Sequence, residues 1–128
     1  LLRFDLGVLP SQTLVSSATL TVAVKSASGI NNVDVHRVTG PWAEATVSYT
    51  NFGGAFDPTT LASFPSSTGY KALALTSLVQ SWTDGSNANE GVLLRQNAGG
   101  TRLYSSETTA FGGAVAPKLQ VCYTAPGY

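Results

Sequence analysis

Apolar and polar residues alternate with a period of two along most of this chain. In the opening LLRFDL, Leu2, Phe4 and Leu6 share one face, and Arg3 and Asp5 fall on the other. After a break containing Pro and Ser, Ala18, Leu20, Val22 and Val24 alternate with Thr19, Thr21 and Ala23. The same pattern, with β-branched and aromatic residues concentrated in it, predicts strands over 1–6, 18–24, 33–38, 46–49, 70–75, 91–96, 101–106 and 117–124. Turn chemistry separates them, as in Thr39-Gly40-Pro41, Gly53-Gly54, Asp57-Pro58 and Asp84-Gly85. This spacing of short strands predicts an all-β fold: a two-sheet antiparallel jelly-roll sandwich with one short helix. The predicted core is Leu2, Phe4, Leu6, Leu20, Val22, Val35, Leu78, Trp82, Leu93, Leu119, Val121 and Tyr123.

The helix is predicted over 77–82. Ser77 is the expected N-cap and Gln80, three residues on, completes a capping box. Leu78 and Trp82 are four apart and share a helical face. Residues 95–102, RQNAGGTR, read as a hairpin tip with Leu93 and Leu103 on adjacent strands. The stretch 51–68 is the longest irregular piece; Phe52, Phe56 and Phe64 give it three anchors, which predicts an ordered loop. Residues 1–125 read as one β-sandwich module and 126–128 as a tail or linker start. A chain that opens directly on a strand is expected to be a processed subunit or part of something longer.

Charge changes the picture by exclusion. Charged residues make up only 11% of the chain against a usual value of about 25%, and the net charge is zero. Seven scattered cations do not form the basic face that nucleic acid requires. Ser, Thr, Asn and Gly must therefore carry the surface, which offers little repulsion against association. No apolar run reaches the 18 or so residues of a membrane span, so no membrane insertion is expected. This composition is that of secreted or cell-surface proteins.

Candidate chemistry is sparse. His36 is the single histidine and lies on a strand in VDVHRV, where a solvent-facing or rim position is expected. Zinc needs three or four ligands, and neither further histidines nor a Cys pair is present. Cys122, the single cysteine, is expected on a packed or shielded face. No Gly-x-Ser-x-Gly elbow occurs, and no local spacing forces two carboxylates into a glycosidase pair. No catalytic residue is assigned, and the chain reads as a non-enzyme. One oxygen-rich cluster, Asp84, Asn87, Asn89 and Glu90 in DGSNANE, is the candidate calcium site, against a plain polar turn; no other cofactor is expected. Trp42, Phe52 and Phe56 in the loops, with Asp57 beside them, are the candidate ligand-binding residues, against a role as core plugs.

The motifs together resemble a family. LLRFDLGVLP followed by VSSATLTVAV looks like the start of the shared part of DNRLRE-type, disaggregatase-related domains of bacterial and archaeal surface proteins. HRVTGPWAEATVSY resembles their YRVTxxWxExTVTW segment, and ALTSLVQSWTDGSNANEGVLLRQ resembles DVTxLVQxWxxGxxNxGxxLR. YSSE and PKLQVCY resemble the ends of that pattern. The resemblance implies an extracellular jelly-roll sandwich; some relatives are carbohydrate-binding modules attached to polysaccharide lyases, and some of those bind calcium. This chain departs from the pattern in carrying Ala74 for Asp, His36 for Tyr, Tyr49 for Trp, and Glu90 before Gly91. The family's opening Asp-containing strand and Asn-x-Gly turn are not among these residues, which predicts an open edge or groove. Two functions follow as expectations. The first is a structural or adhesive module that assembles with copies of itself or with neighbouring surface modules by strand complementation. The alternative is a module that binds an extracellular polysaccharide.

Overall fold

The computed structural model describes residues 1–7, 9, 13–28, 32–96, 100–104 and 115–124. The described residues form seven strands and two helices. In chain order these are β1 (Leu14–Ser28), β2 (Val33–Arg37), α1 (Tyr49–Phe52), β3 (Ala62–Phe64), β4 (Gly69–Ala74), α2 (Thr76–Thr83), β5 (Val92–Arg95), β6 (Gly100–Leu103) and β7 (Lys118–Thr124). They make two antiparallel sheets, as the alternation predicts. One holds β4, β1, β6 and β7; the other has the order β3-β2-β5.

β1 organises the larger sheet. Thr19–Thr21 pair with β4 on one edge and with β7 on the other, and Val24 pairs with both Gly69 and Leu103. β6 and β7 therefore follow one another along the same edge of a 15-residue strand. Register shifts at Val15/Ser17 and Val24/Ser26 let one strand serve both. Leu20, Val22 and Val24 face Val33 and Val35 of the other sheet, with Phe64, Leu73, Leu75, Leu78 and Val92 completing the core. Full burial of a Val or Leu side chain contributes about 1.5–3 kcal/mol, so this interface between sheets is the main source of stability.

Several sequence expectations are corrected. Residues 1–6 form no strand: Leu2 makes one bridge to Val92, and Phe4 packs against the core edge. Residues 46–49 are turn and helix start, because Ser48 caps α1. Its Oγ accepts from Asn51 N (3.3 Å), and Asn51 Oδ1 accepts from Ser48 N (2.7 Å). A capping box thus exists at a place the β-rich composition concealed. At α2 the expected Ser77–Gln80 box does not form; the N-cap is Leu75, with no side-chain cap. β1 satisfies that end instead: Thr76 Oγ1 accepts from Ala18 N, and Leu75 N donates to Ala18 O. Gln80 reaches back to the start of β1. Its Oε1 accepts from Val15 N and its Nε2 donates to Thr13 O.

The expected hairpin is also overturned. β5 and β6 belong to different sheets, so the connection crosses the sandwich. The tip itself (97–99), the Ser105-Ser106-Glu107 motif and the tail 126–128 lie outside the described residues. The stretch 51–68 contains a short strand, β3, paired to β2 at Val33, Asp34 and Val35. Of the predicted core, Leu20, Val22, Val35 and Leu78 are buried, and Leu2, Phe4, Trp82 and Leu119 pack partly against them. Leu6, Leu93 and Val121 are only half-buried, and Tyr123 is exposed, because β7 carries the sheet's edge.

Candidate functional site

The site lies on the outer face of the smaller sheet. Alternation turns Val33 and Val35 into the core and His36 outward, with Leu93 directly opposite it on β5. That outer face is not left to solvent. Thr39 N donates to Ala55 O, Asp57 N to Arg37 O and Leu61 N to Val35 O, each at 2.8 Å, which lays the segment after α1 along β2. His36 is consequently only 4% exposed, contrary to the rim position expected. Its ring meets Phe56 at 5.1 Å between centroids. Its Nδ1 lies 3.1 Å from Asp57 O and 3.2 Å from Thr59 O. Carbonyl oxygens only accept, so Nδ1 carries the proton, and His36 holds this segment down as a donor.

Between that segment and β5 runs a groove of about 640 Å³. Phe52, Gly53, Gly54 and Phe56 form one wall and Leu93–Arg95 the other. Gly53 and Gly54, at φ of 65° and 71°, reverse the chain out of α1 in left-handed conformations that suit glycine. The Arg95 guanidinium stands 5.7 Å from the Phe56 ring. A second depression, about 400 Å³, adjoins it and is lined by Trp42, Thr46, Val47, Asn51 and Phe52. Phe52 belongs to both. Asn51 is fixed by its bonds to Ser48 and by donation to Thr46 O at 2.6 Å.

Trp42 is held from the other side. Its Nε1 donates to Glu90 O (2.6 Å), and the Arg3 guanidinium covers one ring face at 4.5 Å. Arg3 also donates to Trp42 O at 3.1 Å and meets the Glu90 carboxylate at 3.5 Å. The ring is thereby fixed by its edge, its backbone and one face. Of the four candidate ligand residues, the structure brings Trp42, Phe52 and Phe56 together. Asp57 stands apart from the groove lining: its carboxylate accepts from Thr59 N (2.9 Å) and pairs with Arg37 (3.3 Å). Those bonds, Thr59's first, hold its pKa below the ordinary value. The sequence did not single out Leu93 and Arg95 as lining; Arg95 at a strand end was the only available signal.

The oxygen-rich cluster is dispersed. Asp84 Oδ1 accepts from Ser86 N and Oγ, which lowers its pKa. Asn89 Nδ2 donates to Phe4 O at 2.7 Å, and Glu90 turns to Arg3. Asn89 Oδ1 is buried without a hydrogen-bond partner. One free amide oxygen falls far short of the six to eight that calcium takes, so no role is derived for a metal here. Among the described residues, no three His, Cys, Asp or Glu side chains are grouped to hold a metal ion. Cys122 is an exposed free thiol, not the shielded residue expected, because its side of β7 faces outward.

The family model for carbohydrate-binding module family 96 matches residues 1–122, and the chain belongs to that family. It is a non-catalytic, carbohydrate-binding-module-like chain rather than an enzyme. No curated protein and no solved structure gives a significant match to it.

Proposed function

We propose, from that family membership, that the chain binds an extracellular polysaccharide in the paired depressions around Phe52. The observation that carries this reading is one aromatic side chain shared by two adjoining concavities, each flanked by a second aromatic. Sugar rings present apolar C–H faces that stack on aromatics and hydroxyls that need fixed polar partners. Trp42 and Phe56 supply the first; the pinned Asn51 side chain, Thr50 and Arg95 stand at the margins. The low charge and Ser/Thr-rich surface, with the likeness to disaggregatase-related surface proteins, support an extracellular setting. Affinity electrophoresis against a polysaccharide panel is the test. Saturable retardation lost in Phe52→Ala, in a protein with an unchanged circular dichroism spectrum, is the expected result. Absence of retardation by every glycan removes the reading.

A second reading, assembly with copies of itself, is favoured by the outer edge of β5. That edge carries one bridge, Leu2 to Val92, and β5 ends the sheet order. A strand from a second copy added there would pair its remaining backbone groups, and head-to-tail addition gives a filament. Electron microscopy of concentrated protein decides: filaments with a strand from a neighbour on β5 support it, and a monodisperse monomer rejects it.

A further inference from the structure

The charges of this neutral chain are segregated. The four strands of the larger sheet carry Lys25, Lys71, Arg102 and Lys118, and no Asp or Glu. The side chains on that sheet's outer face follow from the register. Leu20, Val22 and Val24 point into the core, so Thr19, Thr21 and Ala23 point out. Tyr70 pairs with Ala23, Ala72 and Lys118 with Thr21, and Gln120 with Thr19, all on that outer face. Arg102, next to the inward Leu103, is exposed on the same side.

The surface these residues make is a shallow trough. Ala23, 4% exposed, is its floor, with Tyr70 paired to it on one edge and Tyr104 N donating to its carbonyl on the other. The Tyr70 ring is 63% exposed, high for an aromatic on a packed sandwich. The Lys25 ammonium lies 5.8 Å from the Tyr104 ring. A depression of about 500 Å³ runs on from Tyr70 past Thr21 to Lys118 and Gln120. Small residues in the middle, aromatics at the side and cations spaced along the strands fit an extended chain of rings bearing regular negative charge.

We propose that this outer face is a second glycan-binding surface, selective for acidic polysaccharide of the polyuronate kind. It rests on the glycan-binding reading above and adds a separate face on the opposite side of the sandwich. With a groove on one sheet and a charged trough on the other, one module bridges two polysaccharide chains. Carboxylates of the polymer meet Lys25, Arg102 and Lys118, and sugar faces meet Tyr70. No protein carboxylate on these strands opposes them.

The test uses polygalacturonate and its fully methyl-esterified form, which keeps the backbone and removes the charge. Wild-type protein is expected to bind polygalacturonate and to bind the ester at least about tenfold more weakly, since charge pairing is removed. Raising salt from about 0.1 M to about 1 M, which contracts the screening length from about 10 Å to about 3 Å, is expected to abolish the difference. The double variant Lys25→Gln/Lys118→Gln is expected to lose roughly five- to tenfold in affinity for polygalacturonate, two exposed ion pairs' worth. Phe52→Ala is expected to keep it. Four results overturn the proposal: no binding of polygalacturonate, equal binding of the ester, full binding by the double lysine variant, or loss in Phe52→Ala alone. The last leaves the groove reading intact, whereas silence of the whole glycan panel ends both.

Discussion

Gly91 links the fold to the site, and Gly91→Ala measures that link. The residue sits at φ 82°, where an L side chain costs about 1–2 kcal/mol. A Cβ there would also overlap the Leu2 carbonyl oxygen and stand 3.0 Å from Arg3 Cβ. The opposing atom is backbone, so Leu2 itself must move. Its two bonds to Val92, at 2.9 and 2.8 Å, then break, each a net loss of about 0.5–1.5 kcal/mol. Reduced freedom of the unfolded chain returns about 0.4–1 kcal/mol. The expected destabilisation is about 2–4 kcal/mol, a fall in Tm of roughly 10 °C. Gly54→Ala is the control: φ is 71° there and nothing lies within 4 Å, so only the backbone term of about 1–2 kcal/mol applies. Urea denaturation of both variants separates the steric part from the conformational part. Hydrogen exchange adds a local readout, since the Val92 amide loses its Leu2 acceptor and Arg3 leaves the Trp42 ring. Equal stability of the two variants, with the Val92 amide still protected, would refute the reasoning.

Further expectations follow from single contacts. Ser77→Ala is expected to change stability by less than about 0.5 kcal/mol, whereas Gln80→Ala leaves Val15 N without its acceptor and costs about 1–3 kcal/mol; chemical denaturation ranks them. Trp82→Phe removes a buried indole N–H that has no partner, so it is expected to cost less than about 1 kcal/mol despite the lost volume; a larger loss by thermal denaturation would show that the N–H is satisfied. Asp57 has a depressed folded pKa, so its contribution is complete above the ordinary aspartate value of about 3.9 and fades as pH falls through the lower folded value. Loosening of the segment over His36 is therefore expected only in acid, with NMR shifts of Thr59 following the carboxyl, and Asp57→Asn is expected to abolish that transition.

The period-two alternation was enough to determine the all-β class, the two antiparallel sheets and most of the core, because it places Leu20, Val22 and Val35 on buried faces whatever their partners. It also placed α2 to within a residue, since Leu78 and Trp82 break the strand period. The aromatic triplet of the site was legible for a similar reason: three large rings in a loop need somewhere to go. What alternation cannot carry is which strand lies beside which. Leu93 lines the groove because it falls opposite His36, and β5 and β6 part company because the chain changes sheets between them. His36 is buried by a segment twenty residues away, and the Gln80 amide caps the start of β1 rather than its own helix. Each outcome depends on contacts between residues distant in sequence. So does the charged face of the larger sheet. Four cations spread from position 25 to 118 look scattered in one dimension, and only the pairing of β1 with β4, β6 and β7 gathers them onto one sheet.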